Sequence, residues 1–287
     1  MNTTTPEGLV QGLLPLLRRF CPAEHGLAMG GSYAKGMSDA QSDVDVYLFA
    51  DKVLPAGRRS ELVQELLGPE GQVTSWGEDE PFVEGGTDLY HQGHKVEVWL
   101  RNRQRVEETI AACRQGRIQR DCVCWTVMGF FNYALLSDLH AMQIVEDPQG
   151  VLAGWKREVT PYPEALRRAI LARFSAEAAF WPGNFHYRTA VERADVIYTT
   201  GIVQLVVQAL IQVVFALNRH YFPGEKKLAQ TLGGLANLPP DFVPRVQALL
   251  YPGQAASVEA LRAQRRELAS LVEEVQQLVL AEGGGAG

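Results

Sequence analysis

Two aspartates one residue apart, Asp43 and Asp45, stand at the head of an apolar run, Val44-Asp45-Val46-Tyr47-Leu48-Phe49. Alternate residues of a strand share a face, so Asp43, Asp45 and Tyr47 point one way while Val44, Val46 and Leu48 point the other. Carboxylates crowded side by side repel each other unless a cation lies between them, and oxygen-only ligands suit a hard ion such as Mg²⁺. Upstream, Gly30-Gly31-Ser32 can bring backbone N–H groups and a hydroxyl against a phosphate, because glycine removes the side chain that would block the approach. A third acid would complete a two-metal phosphoryl-transfer site or deprotonate an acceptor hydroxyl. Glu97 is the preferred residue: Lys95, Glu97 and Trp99 share one strand face, and Val96, Val98 and Leu100 build core on the other. Asp88, on the partner strand, is the runner-up. Glu84 and the run Glu78-Asp79-Glu80 read as a solvated loop.

The elements that must hold these residues are mixed in the first half. Leu9 to Phe20 has helical periodicity, Gly26 to Met29 reads as a short strand, Val44 to Phe49 as a second, and Arg58 to Leu67 as a helix. Asp88 to His91 and His94 to Leu100, joined by Gln92-Gly93, form a hairpin. A helix over 103–114 follows, then helical periodicity over 127–136, and a strand over 140–145 closed by the turn Asp147-Pro148-Gln149-Gly150. From Pro161 onward the pattern is helical only: 164–180, 188–218, 226–232 and 257–280, separated by Pro/Gly turns. The expected fold class is α+β, a small mixed-sheet domain over residues 1–155 followed by an all-helical bundle over 156–287. The tail Gly283 to Gly287 reads as disordered.

The chain carries 27 basic and 33 acidic residues, a net charge of −6, which disfavours long nucleic acid as a partner. The acid excess is local: residues 1–150 sum to −8 and residues 151–287 to +2. Four cysteines without Cys-x-x-Cys spacing offer neither a disulfide framework nor a zinc site, and Cys122-x-Cys124 beside Trp125 reads as two reduced thiols in or near a core. The N-terminus lacks the basic start and apolar run of a secretory signal, so the expected compartment is a reducing cytoplasm. Val196 to Asn218 is 23 residues without a charge. Thr200, Gln204, Gln208 and Gln212 nevertheless draw a polar stripe down one helix face, and a buried core helix with one polar edge is expected rather than a membrane span. The six histidines lack zinc-like spacing, and no P-loop or nucleophile-elbow sequence is present.

Gly31-Ser32, ten residues, then Asp43-x-Asp45 in an apolar strand, with a third acid in a later strand, resembles the DNA polymerase beta-like nucleotidyltransferase superfamily. The match spans residues 30–49 and Glu97. The all-helical second half is similar, more loosely, to that of antibiotic nucleotidyltransferases acting on aminoglycosides or lincosamides. The resemblance implies a palm-like catalytic domain and a helical domain. Asp43, Asp45 and Glu97 would hold Mg²⁺, two ions in all, with Glu97 as third ligand or general base. Gly30, Gly31 and Ser32 would cradle the β- and γ-phosphates of ATP, and Lys35 would add a phosphate contact. The segment Asn218 to Lys227 resembles the one in which a lysine reaches the triphosphate, with Lys226 preferred and Lys227 next. Arg188, Arg193 and Asp195 sit at the head of the long apolar helix, without an assigned role.

The implied reaction transfers NMP, as AMP from ATP, to a hydroxyl. A small cationic acceptor of the aminoglycoside or lincosamide type suits the −8 charge of the catalytic half. The alternatives are nucleotidylation of a protein or a tRNA end, and, from another class, a catalytically idle nucleotide-binding module. The oligomeric state is left open.

Overall fold

The computed structural model describes residues 5–68, 71–77, 84–253 and 255–284, with side chains to 282. The Glu78-Asp79-Glu80 run lies outside the described residues. The elements in chain order begin with α1 (Pro6–Arg19), β1 (His25–Met29), α2 (Gly31–Ala34), β2 (Val44–Ala50) and α3 (Ala56–Leu67). There follow β3 (Val73–Trp76), β4 (Gly86–His91), β5 (His94–Arg101) and α4 (Arg103–Arg114), then a two-stranded ribbon of β6 (Arg120–Asp121) and β7 (Phe130–Phe131). Next come α5 (Ala134–Ala141), β8 (Gln143–Glu146) and α6 (Val151–Glu158). The remainder is helical: α7 (Glu164–Phe180), α8 (Phe185–Glu192), α9 (Val196–Leu217), α10 (Leu228–Gly233), α11 (Phe242–Leu250) and α12 (Val258–Gly284). The fold class is α+β, a mixed six-stranded sheet with helices followed by a helical part.

The sheet runs β3-β4-β5-β2-β1-β8. Every neighbouring pair is antiparallel except β2 with β5, which are parallel. Parallel partners cannot be joined by a tight turn, and α3, β3 and β4 supply the crossover between these two. One face packs on helices: Leu9, Leu13 and Leu17 of α1 and Leu62 and Val63 of α3 join Val44, Val46, Leu48, Val96, Val98 and Leu100 in one buried cluster. Helix α1 starts where Thr5 Oγ1 accepts the Gly8 N–H (3.2 Å) and Pro6 fills the first turn, with Arg18 and Arg19 at its negative end. The other sheet face carries the polar members of β2 and β5 together with the buried Tyr47 and Phe49, and Trp155 of α6 meets Phe49 edge to face at 5.5 Å.

The chain divides into two compact units, Met1–Ala112 with Phe131–Pro161, and Cys113–Phe130 with Tyr162–Gly287. The division at Pro161/Tyr162 falls six residues after the expected one at 155/156, and Cys113–Phe130 groups with the helices. In the helical unit α9 is the central element, packed on α7, α8, α11 and α12. It is long and apolar enough to cross a membrane, but most of its apolar window is buried among those helices. Its polar stripe is uneven: Gln204 is exposed, Gln208 is half-buried and accepts from Arg120 Nη2 (3.4 Å), and Gln212 is in the core.

Several expectations are corrected. The helix expected over 188–218 is two, because Ala194 takes a left-handed φ of 52° and Asp195 caps α9 by accepting the Tyr198 N–H (3.2 Å). The helix expected over 127–136 starts at Ala134 instead. Gly129 is left-handed (φ 85°), which breaks helical continuity, and the Glu225 carboxylate accepts the N–H groups of Val127 (2.8 Å) and Met128 and holds this stretch as a loop. His140 belongs to α5, so the last strand begins at Gln143. Cys122 and Cys124 are exposed rather than in a core, as is Trp125. Glu84 is not a solvated loop residue: it accepts the Asn102 N–H and pairs with Arg105 (3.3 Å). Helix α12 continues through Gly283 and Gly284 into the stretch expected to be disordered, and residues 285–287 lie outside the described residues.

Candidate functional site

The register of three adjacent strands writes a row of acids across the sheet face opposite α1 and α3. Parallel pairing sets Asp45 of β2 beside Glu97 of β5, and antiparallel pairing sets Glu97 beside Asp88 of β4. Neighbouring strands lie ~5 Å apart, so the three acids are spaced at about that distance. Asp43, one residue before β2, is near enough for its charge to act on both Asp45 and Glu97. Two indoles brace the row. Trp99 Nε1–H donates to Asp45 Oδ1 (3.2 Å), Trp76 Nε1–H donates to Asp88 Oδ1 (3.1 Å), and the two rings meet edge to face at 5.2 Å.

The electrostatics favour protonation of Asp45 and Glu97. Burial pushes the Asp45 carboxyl up to about 7; the charges of Asp43, Glu97 and Asp138 add to the shift, and the Trp99 N–H opposes it. Glu97 is also raised, first by burial, with Asp43 and Asp88 adding and Lys95 opposing. The Lys95 ammonium contacts Glu97 directly and lies 3.9 Å from Asp88 Oδ2. No three His, Cys, Asp or Glu side chains among the described residues are gathered as a metal cage.

The glycine turn is built onto this row. Gly30 N–H donates to the Asp45 carbonyl oxygen (2.9 Å), and Gly31 N–H donates to the Tyr47 hydroxyl oxygen (3.1 Å). Gly31 has a left-handed φ of 57°, and a Cβ there would stand 1.6 Å from Asp45 Oδ2. A Cβ on Gly30 would fall 2.1 Å from the Tyr47 ring. Both glycines are therefore required for the chain to cross directly over a carboxylate and a phenol. Ser32 Oγ is buried there without a hydrogen bond. An oxygen-only donor set with excess negative charge, bordered by an unsatisfied buried hydroxyl, fits a hard divalent cation and a phosphate.

Of the residues singled out in the sequence, Gly30, Gly31, Ser32, Asp43, Asp45, Glu97 and Asp88 come together in this unit. Lys35 is nearby, but its ammonium is committed to Asp138 Oδ1 (3.1 Å). Lys226 and Lys227 belong to the helical unit, the first exposed and the second left-handed (φ 57°) just before α10. Arg188 is exposed with its guanidinium 5.9 Å from the Phe185 ring centroid, Arg193 is exposed, and Asp195 serves as the cap of α9.

Sequence reasoning missed Asp138 of α5. It holds Lys35 on one oxygen and the buried Arg101 on the other (3.2 Å), and Arg101 lies 5.7 Å from the Tyr47 ring centroid. The signal was a lone charge inside the apolar run Leu135-Leu136-Ser137-Asp138-Leu139. Trp99, Tyr47 and Lys95 were visible as strand residues, but their hydrogen bonds were not, and Trp76 belongs to β3, a strand not expected from the sequence.

Residues 130–228 match a sequence-family profile described as a domain of unknown function (DUF4037). No curated protein matches the chain. Sixteen solved chains match. One is a nucleotidyltransferase-like protein from Exiguobacterium sibiricum 255-15, 10% identical, with a TM-score of 0.46 over 96% of this chain and 78% of that one.

Proposed function

We propose that the protein is a divalent-cation-dependent nucleotidyltransferase that moves NMP, as AMP from ATP, to a hydroxyl of a small-molecule acceptor. The observation that carries this reading is the placement of Gly31 directly on Asp45, which sets a tight glycine turn and the buried, unpartnered Ser32 Oγ against paired acids. Asp43 and Asp45 would hold the cation, with Glu97 completing the set or taking the acceptor's proton. When bound, the cation neutralises phosphate charge and orients the α-phosphorus for in-line attack.

The residues of the chain do the rest. The turn at Gly30 and Gly31 positions the triphosphate, and Ser32 donates its hydroxyl to a phosphate oxygen. Trp99 holds the Asp45 carboxylate at a fixed angle by its Nε1–H. The acceptor oxygen forms a bond to the α-phosphorus, the bond to pyrophosphate breaks, and the acceptor proton passes to Glu97 or to solvent. Lys35 acts through Asp138 as a tether of the glycine turn rather than as a phosphate contact. Lys226 and Lys227 enter the reading as candidate triphosphate contacts, and an acceptor of the aminoglycoside or lincosamide type is the first to test.

Incubation with α-labelled ATP, Mg²⁺ and an antibiotic panel or a cell lysate tests the reading. Label is expected on a small molecule and absent with Asp43→Asn or Asp45→Asn. Label on protein or RNA would move the acceptor class, and no transfer to any acceptor would favour an idle nucleotide-binding module. Glu97→Gln should slow the chemical step more than it weakens ATP binding; if Asp88→Asn does so instead, the third acid is Asp88.

A further inference from the structure

The acid row contains a cation of its own. Lys95 and Glu97 are two residues apart on one strand, so both side chains rise from the same face, and the lysine is placed between Glu97 and the Asp88 of the neighbouring strand. Its side chain is 35% exposed, against 17% for Glu97. The stem can therefore swing toward solvent while the carboxylate stays. Lysine suits this task better than arginine, because a compact point charge on a flexible stem is released more readily than a planar guanidinium bound bidentately.

We propose that Lys95 is the resident counter-ion of the acid row: it occupies Glu97 and Asp88 while no divalent cation is bound, yields Glu97 when one binds, and so sets how tightly the site takes metal. This rests on the metal-site reading above. An ordinary ion pair at this exposure contributes little and has no bearing on metal affinity. A resident counter-ion competes for the ligand and repels the incoming charge. A single positive charge ~5 Å from a doubly charged ion weakens binding by more than tenfold even when fully water-screened.

The test is Mn²⁺ binding without nucleotide, with free Mn²⁺ counted by electron paramagnetic resonance at low salt and pH 8. Lys95→Met is expected to bind about tenfold more tightly than the unmodified protein. Lys95→Arg should be within a few-fold of it, and Asp45→Asn should lose binding. Melting in EDTA adds a readout apart from affinity: Lys95→Met should melt lower than the unmodified protein and recover fully with Mn²⁺. Should Lys95→Met fail to fold, as seen by near-ultraviolet circular dichroism, Lys95→Gln carries the same expectations. Mn²⁺ bound equally or more weakly by the variant than by the unmodified protein overturns the role of Lys95 and leaves the acid site standing. No Mn²⁺ bound by either overturns the metal site and this inference together.

Discussion

Replacing Asp45 by Asn should stabilise the protein in the absence of divalent cation, and only above a certain pH. The Asp45 carboxyl is raised from 3.8 to about 7 by burial and by its acidic neighbours. A raised carboxyl favours the protonated native state, so its stabilising effect is fully present below the unfolded-chain value and is lost as pH rises through about 7. A shift of about three units corresponds to a ceiling of ~4 kcal/mol. Asp43 and Glu97 take up part of the relaxation, so a gain of ~2 kcal/mol is expected for the variant at pH 8, or ~4–8 °C in melting temperature. The variant's Oδ1 can still accept from Trp99 Nε1–H, so the brace survives. The assay is urea unfolding of both proteins in EDTA at pH 4.5 and pH 8. The two should differ by ~1 kcal/mol at most at pH 4.5 and most strongly at pH 8, in favour of the variant. Saturating Mg²⁺ should close the gap by stabilising only the parent. A variant no more stable than the parent at pH 8 in EDTA would refute the claim that this carboxylate is held against its own charge.

Three further outcomes follow from the same geometry. Gly31→Ala drives a methyl into Asp45 at a left-handed φ, so melting should show a loss of ~2 kcal/mol or more together with lost Mn²⁺ binding; unchanged melting would mean the turn does not lie on the acid. Ser32→Ala removes a hydroxyl that bonds to nothing, so unfolding should move by no more than ~0.5 kcal/mol while ATP affinity falls ~5–10-fold by equilibrium dialysis; equal ATP affinity would remove Ser32 from the phosphate cradle. Asp138→Asn strips the negative charge from between Lys35 and the buried Arg101, at an expected cost of ~3 kcal/mol in chemical denaturation; a neutral result would show that the two cations are held by other partners.

What was legible in the sequence is what local periodicity determines. The two-residue period placed Asp45 and Tyr47 opposite Val44 and Val46, and Glu97 opposite Val96 and Val98, and these are the faces the sheet uses. The glycines were readable as a close approach, but not the group approached. Gly31 touches Asp45 because β2 returns antiparallel beside β1 in a register that local periodicity does not specify. Asp138 was out of reach for the same reason, since its partners Lys35 and Arg101 are 103 and 37 residues away. Helix breaks failed differently. Ala194 adopts a left-handed conformation that its side chain gives no reason to expect, and the stop is enforced by Asp195 capping the next helix, a signal present in the sequence but outweighed by the apolar run behind it. Lys95 is the most instructive case. Its place on the acid face followed from alternation alone, yet its role depends on the Asp88–Glu97 register, which turns a lysine beside one acid into a cation between two. Chemistry carried by one strand can therefore be read from that strand, whereas the charge balance of the site is a property of the pairing between strands.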